Sequence, residues 1–155
     1  MISSNWRLLS RISDIVGAEL PSDLMMNASE VRDAYRSGME IGAHTVNHPI
    51  LARLGPEIAV AEILESKRQL EEITDGPVTS FAYPNGRPNQ DYKSAHVDAV
   101  RKAGFELAVS TAWGAASTHS DLFQLPRIAP WDRNALRFAG RILRGYRERR
   151  FAAAS

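Results

Sequence analysis

Two imidazoles four residues apart are the side chains of this protein best suited to chemistry: His44 and His48, in the run His44-Thr45-Val46-Asn47-His48-Pro49. At that spacing both rings can reach one ion, from a helical turn or from a loop leaving a strand. Pro49 disfavours an α conformation at His48, so the loop is the better reading. Spacing alone also fits a blander role, two polar side chains satisfied by backbone groups at a strand end. The chain holds no cysteine, which excludes disulfides and thiolate centres and leaves imidazole and oxygen as the donors for any metal. Of the other histidines, His96 opens a predicted helix and reads as a capping or surface residue. His119 sits in the polar run Ser117-Thr118-His119-Ser120.

The elements that must position the pair follow from periodicity and punctuation. Apolar residues at Leu8, Leu9, Ile12, Ile15 and Val16 predict a helix over 5–16. Asn27 or Ser29 can cap a helix running to Ser37, with Gly38 as its stop. Residues 39–44 predict a short strand delivering His44. Pro56 in a first turn, with Glu57 beside it, opens a long helix to about Ile73. Asp75-Gly76-Pro77 is a turn, 78–83 a strand, and Pro84 to Asn89 a loop. A helix over 94–102 ending at Gly104, strands over 106–111 and 122–128, and a last helix capped by Asp132 or Asn134 complete the order. Helices alternating with strands predict parallel pairing in an α/β fold. The polar clusters at 44–48, 83–89 and 127–132 all follow strands, the end at which such folds build their sites.

Composition bounds the rest. With 155 residues, 44% hydrophobic, 24% charged and a net charge of +1, the chain suits one domain with a real core. No secretory leader is visible, nor a membrane-length apolar run, which makes the cytoplasm the default expectation. From Arg133 to Ser155 there are seven arginines against one glutamate, a balance of +6, so residues 1–132 carry −5. A basic tail of this kind could touch phosphate or anionic lipid, but a solvated helix face is the favoured expectation and membrane contact is not.

The run Gly38-Met39-Glu40-Ile41-Gly42-Ala43-His44-Thr45-Val46-Asn47-His48-Pro49-Ile50-Leu51 closely resembles the second motif of the polysaccharide deacetylases, G-x-E-I-G-x-H-S/T-x-x-H-P-x-L. These are the NodB-homology or carbohydrate esterase family 4 enzymes. Phe81-Ala82-Tyr83-Pro84-Asn85-Gly86 resembles the family's F-x-Y-P-x-G segment. Residues 103–111 resemble its G-F-x-x-A-x-S/T-T strand, and Leu125-Pro126-Arg127-Ile128 its L-P-R-I segment. The resemblance runs from about Met26 to Arg127 and implies a distorted (β/α) barrel. It implies metal-dependent hydrolysis of a carbon–nitrogen bond other than a peptide bond in an N-acetylated polysaccharide or its precursor. His44 and His48 would be ligands to a divalent metal, usually zinc. The loop after Phe81 would line the substrate groove, with a backbone amide near Tyr83 holding the oxyanion and Asn85 and Arg87 facing the glycan. Arg127 would pair with an active-site carboxylate.

The family's first motif, T-F-D-D-G, supplies its base and third metal ligand, and no Asp-Asp pair occurs in this chain. Asp14 and Asp23, upstream of the histidines, do not follow strands. The family's late L-x-H segment, source of a general acid, has no recognisable counterpart. The expectation is thus a partial barrel lacking its first strands: a helical insertion over 1–25, a motif-bearing core over 26–132 and a basic helix over 133–155. Asp91, His119 and Asp132 are the candidates to complete the chemistry. Activity in this chain alone is expected to be impaired, with a partner or a second copy supplying what is missing. The alternative is a non-catalytic carbohydrate-binding or scaffolding remnant that keeps the groove.

Overall fold

The computed structural model describes residues 15–17, 25–129, 131–147 and 152–155. The helix predicted over 5–16 lies outside them except for Ile15 and Val16, which are helical. Helix α1 spans Ala28–Arg36 and α2 Pro56–Thr74; strand β1 is Ser80–Ala82, followed by α3 at Ser94–Lys102. Strands β2, Leu107–Trp113, and β3, Leu125–Arg127, precede α4 at Ala135–Arg147. The three strands form one parallel sheet in the order β1-β2-β3, so the predicted α/β class with parallel pairing is observed.

Local chemistry explains the element boundaries. Asn27 caps α1, its side chain accepting from the amides of Ser29 and Glu30, while Glu30 reaches back to the Asn27 amide at 2.7 Å. Pro56 starts α2, and Asp75 ends it in a left-handed conformation with φ 54°. In α3 the Nδ1 of His96 accepts from the Lys93 amide at 2.9 Å, so His96 is a capping residue, as expected. Asn134 caps α4 through the amides of Leu136 and Arg137; Asp132, the other candidate cap, instead pairs with Arg141.

The core lies where α2 and α3 cover the sheet. Ala59, Ile63 and Ser66 of α2, one face at helical spacing, are buried with Val97 and Val100 of α3 and with Phe81 and Ala108 of the sheet. Tyr83 stacks on Tyr92 at 3.9 Å between centroids, and Phe81 meets Tyr83 and Phe105 edge-on or tilted at 5.3 Å. Such pairs add about 0.5–1.5 kcal/mol each beyond the area they bury.

Two expectations are corrected. The strand predicted over 39–44 is a single bridge, Ala43 to Phe81: the Ala43 amide donates to Ser80 O and the Ala82 amide to Ala43 O. The preceding chain is tied to the end of α1 by the amides of Gly38 and Met39, and Thr45 turns away at φ 63°. Only one residue is left in register with β1. The basic helix expected over 133–155 is described as helix only over Ala135–Arg147. Residues 152–155 are non-helical, and Ala154 is held by Gln124, its amide donating to Gln124 Oε1 at 2.6 Å.

Candidate metal and substrate site

The site grows from the C-terminal ends of the sheet. Ala43, pinned beside β1, delivers His44, whose Nδ1 lies 2.7 Å from the carbonyl of Ala82. A carbonyl only accepts, so Nδ1 carries the proton and Nε2 keeps its lone pair; a metal-ligating histidine is oriented in this way. His48 brings its ring to 4.7 Å from that of His44, at 69°. Partial desolvation holds the His44 ring below the usual imidazole range. The Ala82 carbonyl opposes that shift, and the charges of His48 and Arg127 add to it. A ring biased toward neutrality is the form that donates a lone pair.

The loop carrying the pair is not a relaxed one. Thr45 and His48 both have left-handed backbones, φ 63° and 54°, at a cost of about 1–2 kcal/mol for each non-glycine residue. Thr45 Oγ1 accepts from the His48 amide at 3.1 Å. Glu62, on α2, closes the loop from outside: Oε2 accepts from the amides of Val46 and Asn47 at 2.9 and 3.0 Å, and Oε1 from Asn47 Nδ2 at 2.6 Å. Desolvation pushes this carboxyl up, but the three donors outweigh it and hold it below the usual carboxylate range. Glu62 has no local sequence signature, because it is one more polar residue of an amphipathic helix.

The second loop docks on β2 through an irregularity. Val109 pairs with Leu125 and Trp113 with Arg127, so β2 carries extra residues opposite Pro126, which has no amide to give. Thr111 is released from the β3 ladder: its amide donates to Gly86 O at 2.8 Å and its hydroxyl to Asn85 O at 2.7 Å. Tyr83 itself is not available to a substrate. Its ring is fully buried, its hydroxyl donates to Phe123 O at 2.9 Å, and its amide donates to Val109 O at 3.2 Å. Pro84 has no amide, so Asn85, at φ 57°, is the first residue of this loop whose N–H no protein acceptor takes among the described residues. The Tyr83 amide is thus taken, and the Asn85 amide is the nearest one following it in this loop without a protein acceptor among the described residues.

The remaining candidates are dispersed. Asp91 is buried and accepts from both the amide and Nε of Arg87 at 3.0 Å, so Arg87 serves Asp91 in this structure. Asp132 is paired with Arg141, and His119 is exposed in a turn beside Ser117 and Thr118. Arg127 donates through Nε to Ser110 O at 2.7 Å, and no carboxylate pairs with it among the described residues. With Thr111, Trp113, Ile128, Ala129 and Trp131 it lines a hollow of about 400 Å³. Among the described residues no third histidine, aspartate or glutamate joins His44 and His48 in a group able to hold a metal.

Comparison with known proteins converges on one family. The family model for polysaccharide deacetylase matches residues 15–108. A Bacillus subtilis protein named as a polysaccharide deacetylase, YxkH, is 25% identical over 114 residues, 74% of this chain and 39% of its own length. The Streptococcus pyogenes deacetylase PplD, solved in complex with acetate, is 29% identical with a TM-score of 0.63, over 69% of this chain and 46% of PplD. A polysaccharide deacetylase from Bacillus cereus shares the fold at 24% identity and a TM-score of 0.64, over 79% of this chain and 38% of its own. The chain thus spans less than half the length of each of these proteins.

Proposed function

Since the chain belongs to the polysaccharide deacetylase family, we propose that it carries the histidine half of a metal-dependent site that removes acetyl groups from an N-acetylated polysaccharide or its precursor. One observation carries the reading. The Ala82 carbonyl fixes the proton of His44 on Nδ1, which presents Nε2 beside the ring of His48. Two oriented imidazoles suit a divalent ion, zinc above all, and they fall one short of the three protein ligands of a catalytic zinc site. When bound, such an ion supplies Lewis acidity toward the acetyl carbonyl and lowers the pKa of water.

The chain's own groups do the positioning. The Asn85 N–H would serve a developing oxyanion; the Thr111–Asn85 and Thr111–Gly86 hydrogen bonds support this reading, because the role depends on a donor fixed in advance. Arg127, anchored on Ser110, and the exposed backbone of the Asn85 loop face the glycan. Overall, water oxygen adds to the acetyl carbon, the C–N bond breaks, and the amine leaves with a proton, giving acetate and a free amino sugar. The third ligand and the base are assigned to a partner chain, with Asp91 or Asp132 able to serve only after release from its arginine.

The two-ligand arrangement favours a second reading, a carbohydrate-binding chain that keeps the groove without turnover. Zinc-dependent acetate release from N-acetylglucosamine hexamer, compared with a His44→Ala/His48→Ala variant, separates them. Release lost in the variant supports the deacetylase; glycan binding without release, unaltered by zinc or by the variant, supports the second reading.

A further inference from the structure

Trp113 lines a second hollow as well. Arg137, Gly140, Arg141 and Arg144 of α4 line it together with Trp113 and Asp132, and it encloses about 540 Å³. Arg141 stands over the Trp113 ring at 5.4 Å from its centroid and is held there by Asp132 through two hydrogen bonds. Three guanidinium groups and one carboxylate are among the residues that line this wall. It shares Trp113 with the hollow that holds Arg127 and Thr111, and Thr111 touches the Asn85 loop. A glycan lying across the strand ends would meet the Asn85 loop, then the half-buried Trp113, then the arginines.

We propose that this arginine-lined hollow is a subsite for an acidic sugar residue, carboxylated or phosphorylated, of the same polysaccharide. The inference rests on the deacetylase reading for the location of the glycan. The chemistry of recognition is separate from it. An indole face takes the apolar face of a pyranose, and guanidinium forks match carboxylate or phosphate oxygens. Arg141 is pre-oriented by Asp132, so part of the ordering cost of binding falls before the ligand arrives. The basic tail read from the sequence thereby acquires a destination, a wall beside the substrate path.

The test is binding of the full chain, by calorimetry at low and high salt, to an oligouronate hexamer, a phosphorylated mannose oligomer, neutral N-acetylglucosamine hexamer and vesicles containing phosphatidylglycerol. Tighter binding of an acidic oligomer than of the neutral one, by about tenfold for each arginine engaged, is expected to weaken with salt. Which acidic oligomer binds identifies carboxylate or phosphate as the ligand. The Arg137→Gln/Arg144→Gln variant should lose the preference and keep neutral-glycan binding and acetate release. Arg137→Lys/Arg144→Lys, which keeps the charge and guards against misfolding, should retain part of it. Acidic binding that persists in the His44→Ala/His48→Ala variant, even where no acetate is released, supports the subsite and sinks only the catalytic reading. Equal affinity for neutral and acidic oligomers, or an acidic preference untouched by the glutamine variant, overturns the proposal. So does displacement of the oligomer by the anionic vesicles, because the exposed Leu136, Leu143 and Tyr146 of α4 would then mark a lipid-facing helix.

Discussion

Replacing Glu62 by alanine is expected to damage metal binding from a helix that contributes no ligand. The carboxylate accepts three hydrogen bonds from the histidine loop, two from main-chain amides and one from Asn47 Nδ2. Bonds to a charged group contribute about 1.5–3 kcal/mol each when buried, but Glu62 is only partly shielded, so about 1 kcal/mol each is the better figure. The loss should be about 2–3 kcal/mol, comparable to the cost of holding Thr45 and His48 left-handed. Without the clamp the loop can relax, and the two imidazoles lose their common focus. Zinc affinity is then expected to fall about 10–100-fold, the range for partners that orient metal ligands. Glu62→Gln keeps one acceptor oxygen and should fall between the wild type and the alanine variant. Calorimetric titration with zinc, beside urea unfolding of each variant, reads both effects. Because the folded-state pKa of Glu62 is depressed, its contribution is present above the ordinary glutamate pKa of about 4.3 and disappears as pH falls through the folded value. The stability gap between wild type and Glu62→Gln should therefore close in acid. Zinc affinity within about twofold of wild type in a folded Glu62→Ala protein would refute the clamp, whatever happened to stability.

Gly86→Ala should destabilise by about 1–3 kcal/mol, because Gly86 has φ 71° and a Cβ there would sit 3.0 Å from both the Thr111 amide nitrogen and the Tyr83 carbonyl oxygen; thermal unfolding checks this. Asn85→Gly, which keeps the amide and relieves the left-handed strain, should leave acetate release intact, whereas Asn85→Pro removes the donor and should lower kcat by about 10²–10³ if that amide holds the oxyanion. Asp91→Asn should weaken the fold at neutral pH and matter less in acid. Burial raises the Asp91 carboxyl, but the Arg87 bonds dominate and depress it, so its stabilisation is lost as pH falls through that depressed value. At the alkaline end burial pushes Tyr92 up to about 12. An acid whose folded pKa is raised resists ionisation, so stability should decline as pH rises from about 10 toward 12, and less steeply in Tyr92→Phe.

What the sequence discloses of this site depends on whether the signal is local. Pro56, Gly104 and the capping group of Asn27 announce their boundaries within a turn of chain, and α1, α2 and α3 are found where those residues put them. The histidine pair is equally visible, because both residues sit on one short loop. Tertiary choices are not. Residues 39–44 have the composition of a strand, yet the tether at Met39 and the turn at Thr45 leave only Ala43 to pair. Asp132 and Asn134 were equivalent as caps until Arg141 took one of them. The Tyr83 amide, a candidate donor by sequence, is unavailable because Val109, 26 residues on, claims it. Glu62 leaves no trace at all, since its partners lie 15 and 16 residues away and nothing around it departs from the helical pattern.

Backbone strain argues for the site independently of any motif. Five non-glycine residues among those described have positive φ: Thr45, His48, Asp75, Asn85 and Asn89. Asp75 is an ordinary helix terminator, and asparagine tolerates the left-handed region better than most residues. Histidine is also tolerated there, but Thr45 has no such excuse: a β-branched threonine is among the poorest choices for that conformation. Four of the five fall in the two loops that leave the strand ends beside His44. Each is over-determined by specific bonds, Glu62 and Thr45 Oγ1 on one loop and Thr111 on the other. A protein indifferent to these loops would have glycine at 45 and 48 and no carboxylate from α2 to hold them. Strain fixed in place by dedicated partners, next to an imidazole whose tautomer is set by a main-chain carbonyl, is what preorganisation for a ligand requires. The Thr45→Gly variant turns this into a measurement: it should stabilise the fold, by relieving the strain, while loosening zinc. Equal or tighter zinc binding in Thr45→Gly would mean that the strained loop serves folding alone.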